Sequence, residues 1–172
     1  MRSFWPPLSV TRAAGHPCRR RSGFTLVEML TVMTILGVLA ALAAPSFARL
    51  TARQRAGTVS TDLYITLVKA RSEAIKRSRD VTLSPNTSGQ WASGWRIPDP
   101  DDADETRVLD QRGAIGGATI TGPSSVTYQS NGRVRASTPP VFDISISGES
   151  DHQCVSIDLS GRPYQKKSSA SC

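Results

Sequence analysis

The chain has 172 residues, room for one ordinary domain and an appendage, with 21 Lys+Arg against 14 Asp+Glu and a formal charge of +7. Such an excess suggests an acidic partner, nucleic acid or anionic lipid. However, five of the arginines (Arg2, Arg12, Arg19, Arg20 and Arg21) precede Gly23 with no acid among them; without that segment 16 bases face 14 acids and the net charge is +2. Overall basicity is therefore weak evidence for nucleic-acid binding.

After Arg19-Arg20-Arg21 comes "GFTLVEML", Gly23 to Leu30, which opens a run from Phe24 to Ala48 whose one charge is Glu28. As a helix, this run of about 25 residues reaches roughly 37 Å, enough to cross a hydrocarbon core of about 30 Å. The arginine flank fits the cytoplasmic side, which puts the chain beyond Arg49 on the outer side. A secretory signal peptide cut near "ALAAPS", Ala41 to Ser46, has the same apolar periodicity. Glu28 argues against it, because a carboxylate in an apolar helix costs on the order of 2.5–3.5 kcal/mol or less near its end and calls for a partner. A cut between Gly23 and Phe24 would create one, the new α-amine of Phe24 at the edge of the same helix or of a packed neighbour.

"GFTLVEMLTVMTILGVLAALAAPSF" resembles the N-terminus of type IV prepilins and type II secretion pseudopilins. The resemblance implies a leader over residues 1–23, cleavage after Gly23 by a dedicated inner-membrane prepilin peptidase and N-methylation of Phe24. It also implies that Glu28, the fifth mature residue, pairs with a neighbour's N-terminus as the subunit enters a helical filament.

Pro45 stands inside the apolar pattern and is expected to kink the helix without ending it. Beyond it, Val59, Leu63, Leu67, Ala70 and Ala74 keep a helical period, widened by Tyr64, Val68 and Ile75. Residues 24 to about 79 therefore read as one helix, a transmembrane half over 24–48 and an amphipathic half over 49–79. Arg49, Arg53, Arg55, Lys69, Arg71, Lys76, Arg77 and Arg79 read as its solvated face, with lipid headgroups as the alternative for the first three.

From residue 80 to 172 Gly, Pro, Ser, Thr and Asn become frequent, and short alternating runs read as strands at 81–85, 91–97, 106–111, 118–121, 125–130, 141–147 and 154–160. The expected class is α+β, with an antiparallel sheet packed on the second half of the helix. "LYITLVKARSEAIKRSRDVTLSP", "WASGWRIPDPD", "SVTYQSNGRVRAS" and "CVSIDLSGRPY" occur in the order and spacing of the GspH/FimT group of minor pilins and pseudopilins. That resemblance implies a filament subunit with a β head outside the inner membrane, working with other pilin subunits, the peptidase and an assembly platform.

Cys18 lies in the leader, so two cysteines remain in the mature chain, Cys154 and Cys172. In an oxidising periplasm they are expected to pair, adding about 3 kcal/mol in the loop-entropy treatment. Tail disulfides of this kind are familiar in type IV minor pilins. Trp91 and Trp95, four apart, would share one face of a strand and pack in the core, with a base-stacking platform as the alternative. The acidic run Asp99–Glu105 has the oxygen density calcium wants, but Ala103 takes the third ligand position of an EF-hand and the required glycine is missing. A solvated loop is expected, with no metal and no cofactor.

"NGRVR" and "SGRPYQKK" place Arg133, Arg135, Arg162, Lys166 and Lys167 beside turns, where they could contact phosphates. Some FimT proteins bind DNA during natural transformation through a Gly-Arg-x-Arg motif near the C-terminus. Here "GRVR" matches the letters but lies upstream, while "GRPY" has Tyr164 in place of the second arginine. DNA contact by these five residues is the alternative to ordinary exposed charge. His16 and His152 lack a nucleophile paired by sequence, and there is no nucleophile elbow or phosphate-binding glycine loop. A structural subunit is expected, not an enzyme.

Overall fold

The computed structural model describes residues 23–102 and 106–172. The leader before Gly23, with His16 and Cys18, and Ala103, Asp104 and Glu105 of the acidic run lie outside the described residues. The chain divides into two compact units, one reaching Ala40 and one running Ala41–Cys172.

The described part of the first unit is the start of helix α1 (Leu26–Arg77). Thr25 caps it, its Oγ1 accepting the Glu28 N–H at 3.2 Å, the N-cap bond of a Thr-x-x-Glu capping box. Glu28 also sits where a negative charge favours the helix dipole. Two hydroxyls within the apolar run bond to the helix's own carbonyls: Thr31 Oγ1 donates to the Glu28 carbonyl and Thr34 Oγ1 to the Leu30 carbonyl, both at 2.8 Å. Hydroxyls bonded within the helix suit a membrane interior, and an 18-residue stretch of α1 with mean hydropathy 2.2 is long and apolar enough to cross one.

In the second unit α1 runs on through Pro45 to Arg77, followed by β1 (Val81–Thr87), β2 (Gln90–Pro98), β3 (Val108–Arg112), β4 (Ala118–Thr121), β5 (Val126–Tyr128), β6 (Val141–Ile146), β7 (His152–Ile157) and β8 (Pro163–Ser168). The antiparallel class holds, but the single expected sheet is replaced by two of four strands, ordered β3-β2-β1-β5 and β4-β6-β7-β8. Both feed one core. Leu63, Leu67, Ala70 and Ala74 of α1 meet Leu83, Trp95 and Tyr128 of the first sheet and Phe142, Ile144, Val155 and Ile157 of the second. Ala70 and Ala74 are fully buried at this seam. Trp91 and Trp95 are both core residues, each 1% exposed. Trp91 stacks edge-on against Phe142 of the other sheet, ring centres 4.7 Å apart, and donates Nε1–H to the Pro123 carbonyl at 2.7 Å. Trp95 donates to Thr66 Oγ1 on α1 at 3.1 Å.

Two expectations about charge are corrected. The cations of the second half of α1 are not simply a solvated face: Lys69 pairs with Asp110 at 3.3 Å, Arg53 with Glu149 at 3.2 Å, and Arg77 with Glu73, Asp99 and Asp101 at 2.7–2.8 Å. The acidic run is correspondingly not a free solvated loop. Its first carboxylate, Asp99, is buried, and Arg77, Arg79 and Arg107 take up the charge of Asp99, Asp101 and Asp102. Asp99, Asp101 and Asp102 look unpartnered in sequence because their arginines come from the end of α1, the turn after it and the approach to β3.

Candidate functional site

Two sites predicted from the sequence lie in separate units. In the first, Gly23 and Phe24 precede the first helical turn, with nothing within 4 Å of the position a Gly23 Cβ would occupy. Phe24 is 76% exposed. The Gly23–Phe24 peptide thus lies outside the helix, on residues exposed to solvent. Glu28 is exposed and has no ion pair among the described residues. The capping role of Thr25 is a local feature that the sequence reading passed over, although Thr-x-x-Glu before an apolar run signals it.

In the second unit the structure brings together two turns that are far apart in sequence. Each is a five-residue hairpin turn with the same bonds. Gln129 N–H donates to the Arg133 carbonyl and Gly132 N–H to the Gln129 carbonyl; Asp158 N–H donates to Arg162 and Gly161 N–H to Asp158, all at 2.8–3.1 Å. Both glycines are left-handed, φ 77° and 86°, as a type I turn followed by a glycine bulge requires. Each is followed by an arginine whose N–H is held by a turn side chain, Asn131 Oδ1 for Arg133 and Asp158 Oδ1 for Arg162. The two glycines touch: a Cβ on Gly161 would stand 2.0 Å from the Gly132 carbonyl oxygen. Arg71 of α1 binds both turns, donating Nε–H to the Gly132 carbonyl at 3.0 Å and an Nη2 hydrogen to the Ser160 carbonyl at 3.2 Å.

"NGRVR" and "SGRPY" therefore form one corner carrying Arg133 and Arg162. Both are exposed, and no ion pair engages either side chain among the described residues. Asp158 is occupied by Ser160 Oγ and the Arg162 N–H, and these bonds hold its carboxyl below the usual range. Tyr128, fully buried behind the corner, has its pKa pushed up by burial.

Three expectations here change. Lys166 and Lys167 belong not to a turn but to β8, paired along its length with β7, a strand missed because "YQKKS" lacks the apolar alternation of a half-buried strand. Arg135 is not a free cation, since it is ion-paired with Asp80. Tyr164 is 49% exposed and lines an open depression with Tyr64, Asp158, Arg162 and Gln165. Arg71, expected on a solvated face, is instead the residue that joins the turns. The expected disulfide forms, Cys154 to Cys172.

Residues 59–161 match the family described as Type II transport protein GspH, and residues 18–44 match the prokaryotic N-terminal methylation motif. Type IV major pilin protein PilA of Myxococcus xanthus is 29% identical over 84 residues, 45% of this chain; the match spans 37% of that pilin's length. Two crystal structures of the type IV minor pilin FimU of Pseudomonas aeruginosa share the fold at 22% identity. Their TM-scores are 0.58 and 0.61, with 67% and 72% of this chain and 96% of each FimU chain covered. The methylation motif falls on the Gly23–Phe24–Glu28 stretch and the family match runs from the second half of α1 to Gly161, well over half of the chain: the chain belongs to the GspH family of pilin-like proteins.

Proposed function

We propose that the chain is a minor pilin or pseudopilin subunit, cut between Gly23 and Phe24, N-methylated on Phe24, and built in at or near the tip of a type IV pilus or a type II secretion pseudopilus, where it supports filament assembly and protein secretion. The observation that carries the reading is Glu28, an exposed carboxylate without an ion pair one turn into an apolar helix. In low dielectric such a group needs a cation, and the amine of a cut Phe24, on the same or a neighbouring subunit, is the one that processing supplies. Before assembly the subunit sits in the inner membrane by the 24–48 half of α1, with its head in the periplasm. Pro45 loosens the helix there as it passes from lipid to filament. The partners are other pilin subunits, the prepilin peptidase and the assembly platform.

The test is Glu28→Ala in the native host, with processing read by gel mobility and incorporation by recovery in sheared filaments. Processing is expected to survive and incorporation to be lost; normal incorporation of the processed mutant would remove this account. Cross-linking partners from pilus or from secretion machinery separate the two filaments.

DNA capture during natural transformation is the second reading. It is supported by the corner where two Gly-Arg turns abut, with Arg133, Arg162, Lys166 and Lys167 exposed and without ion pairs among the described residues. In a gel shift of the full chain in detergent at several salt concentrations, Arg133→Ala and Arg162→Ala should each weaken binding and lower the salt slope by about 0.9. Arg135→Ala, already committed to Asp80, should do little. Binding that survives loss of Arg133, Arg162, Lys166 and Lys167 together would sink this reading.

A further inference from the structure

After β8 the chain turns back, with Ala170 N–H donating to Ser168 Oγ, and Cys172 bonds to Cys154 of β7. Val155 and Ile157 of β7 face the core, so Cys154 lies on the other face by strand alternation. There it stands between opposite charges, with Asp143 its register partner on β6 and Lys166 its register partner on β8. The carboxylate is held in place by His152 of β7, whose Nδ1 is 2.7 Å from Asp143 Oδ1, and the same oxygen lies 3.4 Å from Cys172 Sγ. Access is unequal: Cys154 is 3% exposed, whereas Cys172 is open to solvent.

We propose that the tail is a redox latch on β8, closed by the Cys154–Cys172 bond, guarded by Asp143, and opened by a dithiol reductant that attacks Cys172. A reductant thiolate bonds to Cys172 Sγ; the S–S bond breaks and its electron pair leaves on the Cys154 sulfur, which takes up a proton. The reductant's second thiol then displaces Cys172 from the mixed disulfide. The reductant ends as a disulfide and the protein as two thiols, a balanced two-electron exchange. The entering and leaving thiolates both carry negative charge past Asp143, which raises the barrier, while Lys166 on the opposite flank lowers it.

The latch matters because β8 is an edge strand that carries Lys166 and Lys167 and starts beside Arg162. Its first half is anchored by buried Pro163 and by Gln165, which donates to the Ser60 carbonyl of α1 at 2.8 Å. Its last residues have the β7 ladder and the disulfide. Opening the bond leaves the lysine end of the basic corner free to fray. This inference does not depend on what the corner binds.

The full chain in detergent micelles is reduced with dithiothreitol at one alkaline pH and its free thiols are followed by alkylation. Asp143→Asn should be reduced about threefold faster or more, and Lys166→Gln slower by a similar factor. Arg133→Gln, remote from the bond, should match the parent. Amide exchange of residues 164–168 should rise after reduction while that of β1 and β2 stays constant. Equal acceleration by Asp143→Asn and Lys166→Gln would mean loosened packing rather than charge and would overturn the proposal, as would unchanged exchange in β8. If Asp143→Asn fails to fold, Lys166→Glu at an exposed position carries the same test; it should slow reduction further than Lys166→Gln, and no slowing overturns the idea.

Discussion

The two halves of α1 share a backbone and differ in what covers them. From Leu26 to Thr51 every residue is exposed, Leu36 at 54% and Leu39 at 57%, whereas Ala52, Ala56, Val59, Leu63, Leu67, Ala70 and Ala74 lose one face to the head. Apolar surface that its own chain does not bury must be covered by something else, lipid or a neighbouring helix. The first half therefore belongs energetically to its surroundings and the second to its own domain. The difference is visible in residue choice: bulky apolar residues on all sides in one, and a stripe of leucine and small alanine in the other.

Substituting leucines in each half is the strongest way to break this comparison. Leu67→Ala, fully buried, should cost the head about 2–5 kcal/mol in denaturant unfolding followed by tryptophan fluorescence. Leu36→Ala should leave that same transition within about 0.5 kcal/mol; an equal effect from both would mean that the halves are not energetically separate. The turns gripped by Arg71 come next. Gly161→Ala puts a methyl 2.0 Å from the Gly132 oxygen at φ 86°, and should cost about 2 kcal/mol or more. Gly117→Ala, also left-handed but with open space around it, should cost only about 1 kcal/mol. A smaller effect is expected from Trp95→Phe, which loses the bond to Thr66 Oγ1 and about 1 kcal/mol, seen in the same unfolding experiment.

The smallest effect is acid sensitivity. Arg53 holds the Glu149 carboxyl below its usual range, and Arg77 does the same for Glu73. A depressed folded-state pKa adds stability that is complete above the unfolded carboxylate pKa and lost as pH falls through the lower folded values. The head should therefore soften in acid, with Glu149→Gln flattening that dependence slightly, because Arg53 is half exposed and solvent screens the pair from that side. A pH profile unchanged by this substitution would remove the Arg53–Glu149 pair from the account.

What could be read from the chain alone follows from how local each signal is. The helix was legible because its period is written in consecutive residues, and its end at Arg77 falls two residues short of the expected position. Seven of the strands were legible from alternation, with ends shifted by three residues at most. β8 was not, because an edge strand with exposed Tyr164, Gln165, Lys166 and Lys167 needs no apolar face. Arg77 and Arg71 looked like solvent-facing cations, since, Glu73 apart, the carboxylates and carbonyls that engage them come from residues 22 to 89 positions away.

The sequence by itself determined the Gly23–Phe24–Glu28 stretch, the apolar helix behind it, the strand-rich head and the cysteine pair, because composition, period and adjacency suffice for each. Tertiary structure alone decided that the strands form two sheets instead of one, that Arg135 is spent on Asp80, and that Asp143 and Lys166 flank the disulfide. It also decided that Gly132 and Gly161, 29 residues apart in sequence, meet under Arg71. These are long-range contacts chosen by how whole faces pack, and no local pattern carries that choice.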